Sequence, residues 1–339
     1  MRATRLTLAL DTGVVHLPAT GRILVLGPGH SDDLSALPQD RIVVVQGFRP
    51  DHDALAARGL TVVPVIPEGP FAMALVCLPR ARDAARGMIA AAASRVVDGG
   101  TVVVDGQKTD GVEALYREVR ARVPGVSEAL AKAHGKLFAF PATPSLADWV
   151  ARPRQIGDGF TTLPGMFSAD GPDAGSALLA AALPAQMKGR GIDLGAGWGF
   201  LSRAALSRAD VASLDLVEGD WDALACARLN VTDPRAAFHW ADAITFRPAR
   251  PAHWIVCNPP FHIGRETDPA TGVAFLTAAA RMLVPDGTLW LVANRHLPYD
   301  RPLSLLFREV QDLPGTAAFR LIRASRPVPP DRPRPSSRS

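Results

Sequence analysis

The stretch Gly191-Ile-Asp-Leu-Gly-Ala-Gly-Trp-Gly199 decides the fold of the second half of this 339-residue chain. Its first four residues have the pattern of a short buried strand, and residues 201–208 have the pattern of the helix that follows the glycines. Glycines at such a junction can adopt positive φ and let the backbone approach a ligand, and the new helix adds unpaired N–H groups. The stretch therefore predicts a ligand-binding loop.

Strand and helix patterns alternate on both sides of this loop. After it, the sequence predicts helices and strands in the order 213–217, 221–230, 254–257, 271–283 and 288–293. Before it, the predicted strands are 22–26, 42–45, 60–65, 71–78 and 101–104, with a helix at 81–97. Such alternation is typical of a parallel, doubly wound sheet. We therefore expect the α/β class, with two tandem Rossmann-like domains.

Composition also predicts where the two domains meet. Residues 141–172 are rich in proline and glycine, so we expect a linker that leads into the second domain. The first domain is predicted at 1–140, the second, catalytic domain at 173–325, and a disordered Pro/Arg/Ser tail at 326–339. The first half has a looser copy of the loop, Arg22-Ile-Leu-Val-Leu-Gly-Pro-Gly29, without the acid and the third glycine. Its cofactor site is therefore expected to be degenerate.

The bulk composition excludes several classes of protein. Hydrophobic residues make up 47% of the chain and charged residues 21%, which is typical of a globular protein. No apolar run approaches the roughly 18 residues of a membrane helix, and the apolar start at 6–10 is too short for a signal peptide. The cysteines lack metal-ligand or disulfide spacing, which favours a reducing cytoplasm and no metal; they are Cys77, Cys226 and Cys257.

The formal net charge of +4 comes from the C-terminal end. Residues 320–339 contain six arginines and one aspartate, so they carry +5 and the first 319 residues carry −1. Any affinity for nucleic acid must therefore come from local patches or from this end of the chain.

Two acidic residues follow the loop at positions that suit a nucleoside. Glu218 ends a predicted strand, where a carboxylate can accept hydrogen bonds from both ribose hydroxyls. Asp242 ends the next predicted strand, where a carboxylate can accept from the adenine amino group. The loop and Glu218 alone also fit a nicotinamide dinucleotide. The order Asp193, Glu218, Asp242 favours a bound adenosine.

The tetrad Asn258-Pro-Pro-Phe261 directly follows the strand predicted at 254–257. Ligands of open α/β sheets bind beyond the carboxyl ends of the strands, so the tetrad faces the crevice of the glycine loop. The two prolines fix the backbone and restrict Asn258. Asn258 Oδ1 and the Pro259 carbonyl can then accept both protons of a planar –NH₂ group, and Phe261 offers a face for stacking.

This arrangement suits methyl transfer to nitrogen. The lone pair of an arylamine or amide nitrogen is delocalised, and two acceptors that hold its protons favour an sp³-like nitrogen. Because the sulfonium is a good leaving group, the protein needs to contribute mainly positioning and electrostatics. The structural alternative is a rigid exit loop in which two prolines merely stiffen the chain.

With these motifs the chain resembles a known family. The glycine loop together with the tetrad is similar to class I S-adenosylmethionine-dependent methyltransferases that act on exocyclic amines. Two further segments resemble the RsmC-like family, the bacterial small-subunit ribosomal RNA guanine-N2 methyltransferases: Leu163-Pro-Gly-Met-Phe-Ser-Ala-Asp-Gly-Pro-Asp-Ala-Gly-Ser176 and Val292-Ala-Asn-Arg-His-Leu-Pro-Tyr299. The tandem layout with a degenerate first domain is also similar.

The resemblance implies an enzyme that methylates guanine N2 in 16S ribosomal RNA, naked or within the 30S subunit, with S-adenosylmethionine as cofactor. A cytoplasmic monomer is expected. By resemblance, the catalytic residues that hold the base are Asn258, Pro259, Pro260 and Phe261. By the same resemblance, the residues of the cofactor site are Asp193, Gly195, Gly197, Gly199, Glu218, Asp242 and Asn258, with Phe167 and Ser168 closing it.

Several neighbouring residues have less specific roles. The candidates for contact with RNA phosphates are His262, Arg265, Arg295 and His296. Trp198 and Trp221 fit either a place beside the adenine or ordinary packing. Cys257 fits a small buried strand residue better than a nucleophile.

Other functions fit part of the pattern. A protein glutamine N5-methyltransferase uses a similar tetrad, typically with Tyr in fourth place, and a DNA adenine methyltransferase would need a DNA-reading module. A non-catalytic RNA-binding ribosome assembly factor would keep the fold around a vestigial pocket. A nicotinamide oxidoreductase fits the glycine loop but leaves the tetrad unexplained.

Overall fold

The structure is a computed structural model that describes residues 2–260, 262–263, 266–267 and 269–329. The chain divides into two compact units. Unit 1 comprises the residues up to Arg154 together with Leu163–Ala169, and unit 2 comprises Gln155–Thr162 and the residues from Asp170 onward. The predicted boundaries at 140 and 172 differ from those of the two units. Segments of the predicted linker belong to both units.

Unit 1 begins with a helix and is built on seven strands. Its elements are α1 (Arg2–Asp11), β1 (Ile23–Leu26), β2 (Ile42–Val45), α2 (Arg49–Ala57), β3 (Val62–Val63), β4 (Phe71–Cys77), α3 (Arg82–Arg95), β5 (Val96–Gln107), α4 (Val112–Arg122), β6 (Leu130–Lys132) and β7 (Gly135–Pro141). Short 3-10 turns lie at Lys108–Asp110 and Pro144–Trp149.

Unit 2 repeats this plan after a short two-stranded lead-in. Its elements are β8 (Arg154–Ile156), β9 (Phe160–Thr162), α5 (Ala174–Ala182), β10 (Gly189–Leu194), α6 (Phe200–Leu206), β11 (Val211–Glu218), α7 (Trp221–Asn230), β12 (Ala236–Trp240), β13 (Ala252–Cys257), β14 (His262–Ile263), β15 (Glu266–Thr267), α8 (Pro269–Met282), β16 (Leu283–Asn294), α9 (Asp300–Leu306), β17 (Phe307–Leu313) and β18 (Phe319–Pro327). A 3-10 turn lies at Gly157–Gly159.

The two large sheets share one strand order. It is β3-β2-β1-β4-β5-β7-β6 in unit 1 and β12-β11-β10-β13-β16-β18-β17 in unit 2. The expected α/β class with two tandem Rossmann-like domains is confirmed. The expectation of purely parallel sheets is wrong at one edge, because β7 and β18 run antiparallel to both of their neighbours. The connections β6–β7 and β17–β18 are too short for a helical crossover, so these strands form hairpins.

The central strands are buried on both faces. In β1, Leu24 and Leu26 belong to one apolar cluster, while Ile23 and Val25 belong to another. Strands covered on both sides read as continuous apolar runs, which is why the sequence located them. None of the helices in the described part of the chain is long and apolar enough to cross a membrane.

The two ends of the described chain are ordered elements, and the C-terminal one differs from expectation. The N-terminal residues form α1, and Arg5 on this helix is fully buried because its guanidinium donates to both carboxylate oxygens of Asp105 at 2.6 and 2.8 Å. At the other end, β18 includes Arg326 and Pro327, so the strand continues two residues into the predicted disordered tail. Residues 330–339 of that tail lie outside the described residues.

A close approach inside the sheet of unit 2 requires Gly191. This residue pairs with Trp254 on the neighbouring strand, and a Cβ at Gly191 would lie 2.0 Å from Cη2 of the indole. Trp254 is only 4% exposed. Any side chain at position 191 would therefore have to displace a buried indole.

We expect Gly191→Ala to lower the free energy of unfolding by about 1–3 kcal/mol, the usual effect of overpacking a core. Urea unfolding followed by circular dichroism measures the change. Gly157→Ala is the matched control, because a Cβ there meets nothing within 4 Å, and it should change stability by less than about 0.5 kcal/mol. Equal effects of the two substitutions would show that the indole does not constrain position 191.

Candidate active site

The candidate site of unit 2 lies where β10, β11 and β13 end. These strands are parallel neighbours, so the loops that follow Leu194, Glu218 and Cys257 meet at one edge of the sheet. The sequence predicted that the glycine loop, Glu218 and the Asn-Pro-Pro turn share this edge, and the structure brings them together there.

The glycine loop turns through three left-handed residues. Gly195, Gly197 and Gly199 have φ values of 80°, 55° and 92°. A Cβ on Gly199 would lie 2.8 Å from Cγ2 of Val231, whereas a Cβ on Gly197 would meet nothing within 4 Å. Gly199 thus packs against the end of α7, while Gly197 borders open space that a ligand can occupy.

Glu218 holds the glycine loop in place. Its Oε2 accepts the N–H of Gly197 at 2.7 Å, and its Oε1 accepts the N–H of Asp220 at 2.7 Å. Burial raises the pKa of Glu218 to about 7. Because each carboxylate oxygen has a further lone pair, Glu218 can hold the loop and still accept hydrogen bonds from a ligand.

Asp193 lies beneath the loop rather than on its surface. It is fully buried, and its Oδ2 accepts a hydrogen bond from Oγ of Ser202 at 2.6 Å. Its Oδ1 has no hydrogen-bond partner within the described part of the chain. Burial, together with the nearby charge of Glu218, raises the pKa of Asp193 to about 7. Asp193 therefore supports the strand and helix on either side of the loop.

Sequence reasoning missed Asn230, the last residue of α7. Its Oδ1 accepts the N–H of Thr161 at 2.7 Å, and its Nδ2 donates to the carbonyls of Thr161 and Trp198 at 2.9 and 2.8 Å. The side chain is 8% exposed. It ties the glycine loop to β9. An amide at the end of an apolar helix was the available signal, but the sequence does not show which backbone it meets.

Asp242 lies two residues beyond β12 and shapes the turn that follows. Its Oδ1 accepts the N–H of Ile244 at 2.9 Å. The strand before it ends in Trp240, whose ring meets that of Trp221 edge to face with centroids 5.0 Å apart. Trp240 Nε1 donates to the Gly219 carbonyl at 2.9 Å. The region around Glu218 and Asp242 therefore has an aromatic border.

Trp198, the other tryptophan considered for the adenine, packs elsewhere. Its ring contacts Phe160 and Phe200, with centroids 4.9 and 5.8 Å away, and it is 4% exposed. Packing is therefore its function in this structure. Cys257 is likewise buried and donates to the Leu194 carbonyl at 3.2 Å, while burial raises its pKa well above the usual value.

The Asn258 amide is anchored on α5. Its Nδ2 donates to Oδ2 of Asp173 at 3.0 Å and to Oγ of Ser176 at 2.8 Å. Both amide protons are used, so Oδ1 is left as the acceptor. Pro259 is buried and Pro260 is exposed. Phe261 and Arg265 lie outside the described residues, as does the side chain of His262.

Phe167 and Ser168, the two residues predicted to close the cofactor site, belong to the segment Leu163–Ala169 of unit 1. Phe167 is 62% exposed, and Ser168 has a φ of 52°. Their function at the cofactor site stays a prediction. Arg295 and His296 are exposed, and they stay candidates for RNA contact.

Unit 1 has the same edge with different side chains. Strand register places Val25 at the position of Asp193, Gln46 at that of Glu218 and Cys77 at that of Asn258. Gln46 still bridges its loop, since its Nε2 donates to the Pro28 carbonyl at 2.7 Å and its Oε1 accepts from Phe48 at 2.8 Å. The carboxylates and the amide of unit 2 are absent from these positions, so the site of unit 1 is degenerate, as expected.

The residues of unit 2 fit an adenosine-containing cofactor. The space beside Gly197 is open, and the partly exposed Glu218 has lone pairs to spare. Asn258 presents an oxygen at the same edge of the sheet. A nucleoside-binding edge beside an acceptor for an amino group is the arrangement that an S-adenosylmethionine-dependent methyltransferase needs.

Comparison with known proteins identifies the family. The family model described as methyltransferase small domain matches residues 158–323. A protein from Ectopseudomonas mendocina named ribosomal RNA small subunit methyltransferase C is 32% identical over 90% of this chain and 95% of its own length. A protein of the same name from Pseudomonas paraeruginosa is 34% identical over 77% of this chain and 81% of its own. The chain belongs to the ribosomal RNA small subunit methyltransferase C family.

A solved structure extends this similarity to both units. The 16S rRNA N2 methyltransferase RsmC of T. thermophilus, in complex with AdoMet and guanosine, matches with a TM-score of 0.80 and 25% identity over 95% of this chain and 92% of its own. The resemblance seen in the sequence is confirmed. Among the residues that the structure describes, no group of three or more His, Cys, Asp or Glu side chains could hold a metal ion.

The raised pKa of Asp193 predicts how stability depends on pH. Its folded pKa of about 7 lies above the usual value of 3.8, so between these pH values the folded state holds a proton that the unfolded chain releases. Its contribution to stability is full at acid pH and is lost as the pH rises through 7. We expect the free energy of unfolding to fall between pH 5 and 7, and to fall less steeply in Asp193→Asn.

Urea titrations at several pH values test this expectation. Asp233→Asn is the matched control, because Arg235 lowers the pKa of Asp233 to about 2 and its titration lies below this window. Parallel stability curves for wild type and Asp193→Asn between pH 5 and 7 would contradict a raised pKa at Asp193.

Proposed function

We propose that this chain transfers a methyl group from S-adenosylmethionine to the exocyclic N2 amine of a guanine in 16S ribosomal RNA. The observation that carries the proposal is the Asn258 amide, whose –NH₂ group donates to Asp173 and Ser176, which leaves its oxygen as the acceptor. Such an acceptor suits a planar amino group. Family membership and the guanosine named with the T. thermophilus relative support guanine as the base.

On the cofactor side, each acid has a distinct task. Glu218 accepts hydrogen bonds from the ribose hydroxyls while it also accepts one from the N–H of Gly197. Asp242 accepts the adenine amino proton, and the open space at Gly197 admits the cofactor close to the backbone. Asp193 lies beneath the glycine loop and supports it through its hydrogen bond with Ser202. The remaining members of the proposed cofactor site within unit 2 are Gly195, Gly199 and Asn258.

On the base side, the chain positions a weak nucleophile. When bound, the cofactor supplies a methyl group on a sulfonium, which is a good leaving group. Asn258 Oδ1 and the Pro259 carbonyl each accept one hydrogen bond from the N2 amino group. These two hydrogen bonds favour a pyramidal nitrogen with its lone pair free for attack. Pro260 stiffens the turn and Phe261 stacks on the base. The neutral amine attacks the methyl carbon as the carbon–sulfur bond breaks, and the methylated nitrogen then releases one of its two protons to water. The protein therefore contributes position and electrostatics rather than a general base.

The proposed partner is 16S rRNA, naked or in the 30S subunit. Unit 1, without the acids of a cofactor site, serves as a scaffold for RNA docking. We place the protein in the cytoplasm, a reducing compartment that agrees with three free, buried cysteines, and we propose that it is a monomer. Three alternatives agree less well with membership of this family: methylation of a protein glutamine, methylation of a DNA base and binding of a dinucleotide. A non-catalytic assembly factor would not need the intact set Asp193, Glu218, Asp242 and Asn258.

The decisive experiment labels the product. We expect purified protein with radiolabelled S-adenosylmethionine and unmethylated 30S subunits or 16S rRNA to yield N2-methylguanosine, at the position named for the relative, guanine 1207. In Asn258→Ala, kcat should fall by about 100-fold or more, because an acceptor of the transition state is lost. Cofactor affinity should fall by a smaller factor than kcat, because Asn258 is also a proposed member of the cofactor site while Glu218 and the glycine loop are unchanged.

The outcomes separate the alternatives. Label in a protein amide would transfer the proposal to a glutamine substrate. Cofactor binding without label in RNA or protein would favour the assembly factor. Full activity of Asn258→Ala would show that the amide does not hold the base.

Cofactor binding has its own test at Glu218. We expect Glu218→Gln to weaken binding of S-adenosylmethionine by about 10- to 100-fold, since a hydrogen bond to a charged acceptor is replaced by a neutral one. Because the Glu218 pKa is about 7, wild-type affinity should fall as the pH drops from 8 to 6, and the variant should lack this dependence. Isothermal calorimetry measures both effects.

The matched control is Gln46→Ala, which alters the corresponding position of unit 1. It should leave both the affinity and a stoichiometry of about one cofactor per chain unchanged. Two cofactors per chain would contradict the degenerate state of unit 1.

A further inference from the structure

We infer that Asp173 is a positioning residue that fixes the orientation of the Asn258 amide, and that it dictates Asn rather than Asp at the first place of the tetrad. The inference rests on the proposed methyl transfer at Asn258. It assigns a function in the reaction to a residue that lies before the glycine loop, at the start of α5.

One carboxylate oxygen serves both the helix and the amide. Asp173 is the N-cap of α5, and its Oδ2 accepts the N–H of Ser176 at 2.9 Å. The same oxygen accepts a hydrogen bond from Nδ2 of Asn258 at 3.0 Å. The second hydrogen bond of this Nδ2 goes to Oγ of Ser176 at 2.8 Å. Ser176 is 8% exposed. The amide is therefore held by two acceptors on the first turn of one helix.

This pair of acceptors selects one of two amide orientations. A rotation of the Asn258 amide by 180° would point its oxygen at the Asp173 carboxylate and its –NH₂ group at the amino group of the base. The first contact would place lone pairs against lone pairs, and the second would place donors against donors. A charged acceptor makes a stronger hydrogen bond than a neutral one, so Asp173 holds the oxygen toward the base.

The same geometry explains why the tetrad begins with Asn. Aspartate also has the acceptor oxygen that the chemistry needs. At position 258, however, a carboxylate would face that of Asp173 at about the distance of a hydrogen bond. Two carboxylates so close cannot both ionise without strong repulsion. The choice at position 258 is therefore set by the residue at position 173.

A compensation experiment tests this dependence. In Asn258→Asp, kcat should fall by about 10- to 100-fold, as expected when a hydrogen bond to a charged group becomes a repulsion. Asp173→Asn keeps a helix cap and an acceptor, so it should stay within about threefold of wild type. In the double variant N258D/D173N the residue at position 173 is neutral, so the repulsion between two carboxylates is removed. The kcat of this double variant should therefore recover by about tenfold or more over Asn258→Asp.

Asp173→Ser separates positioning from helix capping. Serine is as good an N-cap as aspartate but is too short to serve both partners, so kcat should fall while Tm and cofactor affinity stay near wild type. A residue that only caps α5 would give wild-type kcat in Asp173→Ser. It would also give no recovery in N258D/D173N, and either result would overturn the inference.

A second variant covers the case in which changes at Asp173 prevent folding. Ser176→Ala removes one acceptor of the amide and keeps the cap, so kcat should fall by a factor of about 5–10 with cofactor affinity unchanged. Unchanged kcat in this variant would also overturn the inference. Failure of the proposed function looks different, since the wild-type protein itself would then transfer no methyl group to guanine.

Discussion

The left-handed turn of the glycine loop is the constraint on which the rest of unit 2 depends. A loop with positive φ at Gly195, Gly197 and Gly199 leaves backbone groups that need partners, and buried polar groups are costly without them. Glu218 accepts the N–H of Gly197, and Asn230 donates to the carbonyl of Trp198. The polar side chains at the site thus satisfy the loop before any ligand binds, which pre-organises the pocket.

The two units act as an internal comparison. Unit 1 keeps the strand order of unit 2 with Val25, Gln46 and Cys77 where unit 2 has Asp193, Glu218 and Asn258. The fold therefore does not require these acids or this amide. Carboxylates with raised pKa values destabilise the folded state at neutral pH, so we infer that Asp193 and Glu218 are present in unit 2 because the proposed reaction needs them.

Much of this could be predicted from the sequence, for physical reasons. The central strands are buried on both faces and read as apolar runs, and α7 has the predicted bounds of 221–230. The edge strands β6 and β17 are largely exposed and carry no such pattern, so they were missed. Asn230 and Asp173 were missed because their functions depend on partners 69 and 85 residues away, which only the fold brings into reach.

The most direct test of this mechanism is a crystal structure of the chain with S-adenosylhomocysteine and guanosine. We predict the guanine N2 within about 3 Å of both Asn258 Oδ1 and the Pro259 carbonyl, the distance of a hydrogen bond. We also predict that the Asn258 –NH₂ group stays on Asp173 and Ser176. A guanine bound with N2 away from these two oxygens, or with another ring edge against Asn258, would contradict the mechanism.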